Sequence, residues 1–151
     1  MSQRVERAIT IRRPHEEVAE FVTDPHRLFE AIPGFARFSF VGKGDAEGEE
    51  EWDVFLEVGT LHVGGRVLVR KPSVNRLEWS AERGTRHHFA FNVERLGEHT
   101  RLTMTLEYSF AGILVARVTE FLGRGIAARH LEAGLEEVRH LLEYGDAVEP
   151  A

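Results

Sequence analysis

Between residues 35 and 110 apolar side chains recur at every second position, and from residue 113 onward at every third or fourth. A two-residue repeat gives a one-faced strand and a 3.6-residue repeat a one-striped helix, so the change restricts the chain to a sheet followed by a helix. "FARFSFVG" leads into "GKGDAEGEE", a turn region rich in glycine and acid. "EEWDVFLEVGTLHVGGRVLVRKP" reads as two strands turning near Gly59-Thr60. "NRLEWSAERGTRHHFAFNVERLGEHTRLTMTLEYSF" reads as three more, turning at Arg83-Gly84 and Gly97-Glu98. Connections this short make the sheet antiparallel.

Before this run, Val5, Ile9 and Ile11 share one phase of a first strand. Pro14 suits a first helical position, with Val18, Phe21 and Val22 on one face of the helix it opens. Asp24 can cap a second short helix, Pro25 can open it and Pro33-Gly34 can end it, with Leu28 and Ile32 as its buried side. At the other end Leu114, Val118, Phe121, Gly125, Ala128, Leu131, Leu135, Val138 and Leu142 form one stripe. It predicts an amphipathic helix over 113–144, on the order of 48 Å long. Gly123 and Gly125, each costing about 1 kcal/mol against alanine, mark where it kinks or splits. Residues 1–145 are expected to form one domain and 146–151 a short tail.

The fold class is therefore α+β: a curved antiparallel sheet of about six to seven strands wrapped around a long C-terminal helix, with two short helices after strand 1. A sheet this wide twists and curls, and its apolar face needs the helix as cover. Gly64-Gly65 inside a strand fits a bend or bulge. Where a curved sheet diverges from a straight helix, a concave apolar space opens, the usual form of a small-molecule site. Two arrangements satisfy the pattern: an open space for a ligand, or a core filled by the ten phenylalanines and two tryptophans.

Alternation decides the fate of the adjacent histidines in "RHHFAFNV". His87, Phe89, Phe91 and Val93 form the apolar set, which faces inward; His88, Ala90, Asn92 and Glu94 face solvent. The same logic turns inward Trp52, Val54, Leu56 and Val58, then Leu61, Val63, Gly65 and Val67, then Leu77 and Trp79, and lastly Leu102, Met104, Leu106 and Tyr108. His87, Tyr108 and the Trp79 indole N–H are the few inward polar tips, serving either to orient a ligand or to satisfy the backbone. The candidate ligand-binding residues are Trp52, Trp79, His87, Phe89, Phe91, Met104 and Tyr108 from the sheet and Val118 and Phe121 from the helix.

Composition narrows the function classes. The chain has no cysteine, which removes disulfides and thiolate chemistry. A net charge of −6 without a basic patch argues against nucleic acid as a partner. "MSQRVERAIT" has no signal-peptide core, and "YSFAGILVA" is far short of the ~20 residues that span a bilayer. A cytoplasmic protein, monomeric or homodimeric and without cofactor, is expected. Glu137-x-x-His140 has the spacing of half a carboxylate-bridged metal site but lacks a second copy, and His15, His26, His62, His99 and His130 show no metal-ligand spacing. There is no GxSxG elbow and no GxGxxG loop. The acidic run "DAEGEEE" reads as a solvated hairpin edge.

"VERAITIRRPHEEVAEFVTDPHRLFEAIPGF" resembles the opening of the START-related SRPBCC, or Bet v 1-like, superfamily. The residues that carry it are Pro14, Glu16/Glu17, Val18, Asp24-Pro25 and Ile32-Pro33-Gly34. The strand series and final helix extend the likeness over essentially the whole chain, which is similar to the polyketide cyclase/dehydrase-like branch. The resemblance implies a helix-grip fold with an internal cavity for a hydrophobic ligand. Three functions follow as expectations. The first is a carrier or chaperone for a lipid, quinone or polyketide-like molecule. The second is a cyclase, aromatase or dehydratase using His87 or Tyr108 for proton transfer. The third is an accessory protein, because "LEVGTLHVGGRV" and "FAGILVARVTEFLG" are similar to the carbon monoxide dehydrogenase accessory branch.

Overall fold

The computed structural model of the chain describes residues 2–58, 61–83, 86–109 and 125–145. The elements run β1 (Ser2–Ile11), α1 (His15–Val22), α2 (Pro25–Ala31), β2 (Arg37–Lys43), β3 (Glu50–Val58), β4 (Leu61–Ser73), β5 (Arg76–Ala81), β6 (Arg86–Leu96), β7 (His99–Ser109) and α3 (Ile126–His140). A π-helical turn, Leu141–Gly145, follows α3. The seven strands form one antiparallel sheet in the order β1-β7-β6-β5-β4-β3-β2, so the first strand pairs with the last. Among the described residues no helix is long and apolar enough to cross a membrane.

Local chemistry explains the helices. Pro14 stands one place earlier than expected, as the extended residue ahead of α1, and its carbonyl accepts from the Val18 N–H at 3.2 Å. Glu16 and Glu17 then sit in the first turn, where the helix dipole favours acids. At α2 the Asp24 carboxylate accepts from the His26 and Arg27 backbone N–H groups and Pro25 opens the helix. Phe29 is buried there beside Leu28.

Gly125 has φ of 67°, a left-handed conformation that no α-helix can run through, so α3 starts at Ile126. The single stripe expected over 113–144 is broken at that point; Leu114, Val118 and Phe121 lie outside the described residues. After the break Ala127, four residues before Leu131, takes the buried place expected for Ala128. Leu131, Leu135, Val138 and Leu142 are buried as the spacing requires.

Three elements share the inner face. α3 packs along β1, α1 lies over β5, β6 and β7, and α2 reaches β2 and β3 through Phe29. α3 comes close because residue 134 is glycine: a Cβ there would stand 2.8 Å from Phe35 Cδ1 and 3.2 Å from Met104 Cε. Gly64 and Gly65 are not a bulge, since the register runs unbroken through Phe55↔Gly64 and Val54↔Gly65. Their φ values of 155° and 150° give them a backbone conformation open to glycine within continuous pairing.

Two expectations about the outer side are corrected. Ala90 is buried although it points outward, because its small side chain lies between its longer cross-strand partners Glu78 and Thr105. The acidic run is not simply solvated. Glu49 pairs with Arg70, Glu51 with Arg66, and Glu50 accepts from Trp52 Nε1–H and contacts His26 Nε2, both at 3.0 Å.

A buried carboxylate ties the two ends of the chain together. Glu143 accepts from the Arg12 backbone N–H at 2.8 Å and from the Arg139 guanidinium at 3.0 Å, while Arg13 donates to the Leu142 and Glu143 carbonyls. Burial pushes its pKa up, but the Arg12 amide and guanidinium, aided by Arg139, outweigh burial and hold it below the ordinary 4.5. A depressed folded-state pKa stabilises above 4.5, and the contribution is lost as pH falls through the folded value. Glu143→Gln is expected to lower neutral stability by about 2 kcal/mol and to flatten the acid limb of stability against pH. Urea unfolding across a pH series measures both, and parallel curves for the two proteins would contradict the assignment.

Candidate functional site

The polar part of the inner face is a cross-strand pair. In the antiparallel register of β6 and β7, His87 stands directly opposite Tyr108. They share the phase of Phe89 and Met104, and both are buried. Directly opposed residues hold their Cβ atoms about 4.5–5.5 Å apart, close enough to engage one ligand group together. Burial pushes the Tyr108 phenol up to about 12, so it stays neutral and able to donate across the physiological range. The pair lies at the end of the sheet from which α3 starts, as the pairing of Ser2 with Ser109 and the Arg7–Glu132 ion pair show.

Next to this pair the bowl is filled by rings. Trp79 stacks on Phe89 at 4.5 Å and 5°, Phe89 contacts Phe91 at 5.3 Å, and Phe35 meets Phe89 edge-on at 5.5 Å. Trp79, Phe89, Phe91 and Met104 are 0–1% exposed, so at their level the space is packed rather than open. Phe29 continues the chain of rings, touching Trp79 at 5.4 Å and Trp52 at 4.8 Å.

Trp52, at the far end, belongs to a different environment. It lines an open cleft of about 520 Å³ between α2 and β2, together with Phe29 and Phe38. The candidate residues thus divide into the His87–Tyr108 pair, a packed floor of Trp79, Phe89, Phe91 and Met104, and Trp52 at the opposite edge. Val118 and Phe121 lie outside the described residues, as do the side chains of Val58, Leu61 and Val63.

Sequence reasoning missed Phe29, Phe35 and His130. His130 Nε2 donates to the Phe35 carbonyl at 2.5 Å and its ring stacks on Phe35 at 4.9 Å, so α3 holds the segment between α2 and β2. An aromatic directly after Leu28 in a helix pattern, and another just after Pro33-Gly34, were the available signals. On the outer face His88 Nε2 meets Glu78 at 3.0 Å, and Glu78 also accepts from Arg76. Among the described residues no group of three or more histidines and acids could hold a metal ion.

A family model described as polyketide cyclase / dehydrase and lipid transport matches residues 2–143. A search of curated proteins returns no match. Among solved structures the chain is similar to TTHA0849 from Thermus thermophilus, at 16% identity and a TM-score of 0.77, covering 93% of this chain and 97% of that one. It is similar to the Zhui aromatase/cyclase from Streptomyces sp. R1128, at 16% identity and a TM-score of 0.76, covering 95% and 94%. Ginseng major latex-like protein 151 from Panax ginseng matches at 12% identity and a TM-score of 0.67, covering 92% and 96%. These likenesses show the helix-grip fold.

Proposed function

Because the chain belongs to the polyketide cyclase/dehydrase and lipid transport family, we propose that it binds a hydrophobic small molecule on the inner face of its sheet and carries it without turnover. A lipid, a quinone or a polyketide-like compound fits that description. The observation that carries this reading is the opposed pair His87 and Tyr108, two polar tips on an otherwise apolar wall, at the end of the aromatic floor. A few polar groups in an apolar surround orient a ligand, while area supplies the affinity at about 25 cal/mol per Å². Trp79, Phe89, Phe91 and Met104 form the packed layer that holds this pair in place.

The second reading is a cyclase, aromatase or dehydratase, favoured by the placement of two proton-bearing groups directly opposite each other. Efficient general acid–base groups have pKa values near the operating pH, and a phenol raised to about 12 is far from it. Tyr108 therefore orients better than it transfers protons, which favours the carrier.

Native mass spectrometry with organic extraction identifies what co-purifies; binding and turnover are then compared in His87→Ala and Tyr108→Phe. A carrier retains the ligand in both, with affinity falling about 3–10-fold for the loss of one neutral hydrogen bond. Abolished turnover with intact binding would establish the enzyme instead.

A further inference from the structure

We draw no further inference here: the strongest candidate, the open aromatic cleft between α2 and the edge strand β2 lined by Phe29, Phe38 and Trp52, carries none because nothing in the structure shows what covers it.

Discussion

Gly64→Ala is expected to destabilise the protein by at least about 3 kcal/mol, lowering the melting temperature by roughly 6–12 °C for a chain of this size. Gly64 lies at a φ of 155°, which L side chains rarely adopt, and a Cβ built on it falls 1.9 Å from the Val54 carbonyl oxygen. That obstacle is backbone inside a paired strand, opposite Phe55 and next to the Gly65–Val54 pair, and it cannot swing aside as a side-chain tip would. Relief requires breaking the β3–β4 ladder at this position. Gly42→Ala is the control: no atom lies within 4 Å of its Cβ position, and the change should stay within about 0.5 kcal/mol. Equal thermal stability of the two variants would show that position 64 tolerates a side chain.

Phe89→Ala is expected to cost about 3–5 kcal/mol, the range for removing a fully buried aromatic ring. Phe89 is 0% exposed and touches Phe35, Trp79 and Phe91. The void left behind would be walled by rings and hence dry, a setting in which small aromatic molecules bind. Benzene or indole should therefore recover part of the lost thermal stability of Phe89→Ala and leave the parent protein unaffected. A loss below about 1 kcal/mol would mean that the ring edges open space rather than packing against neighbours. Denaturant unfolding with and without benzene distinguishes the two.

The sheet was legible because alternation leaves little freedom. Once β6 is a strand, His87 must point the way Phe89 does, and the register to β7 then sets it opposite Tyr108. Caps such as Asp24-Pro25 were legible because their hydrogen bonds are local. What periodicity could not carry was contact between distant segments. Phe29 reaches Trp52 and Trp79, and His130 reaches Phe35, through the placement of whole helices. Glu143 reads as a surface acid until the fold brings the Arg12 amide to it. The start of α3 after Gly125 was visible only as a weak spot, because a glycine within a helical pattern does not state its φ. The cleft at β2 escaped notice because its walls come from opposite phases of a strand, which pattern analysis assigns to different faces.

The pairing of β1 with β7 has a consequence during synthesis. Residues 2–11 are made well before their neighbour in the sheet among the described residues, which spans 99–109. At about 5–20 residues per second, roughly 5–20 s pass before that neighbour exists. Throughout that interval Val5, Ile9 and Ile11 have no sheet to join. The nascent chain holds out an unsatisfied strand until β7 has been made, an interval in which its bare edge is open to wrong pairing.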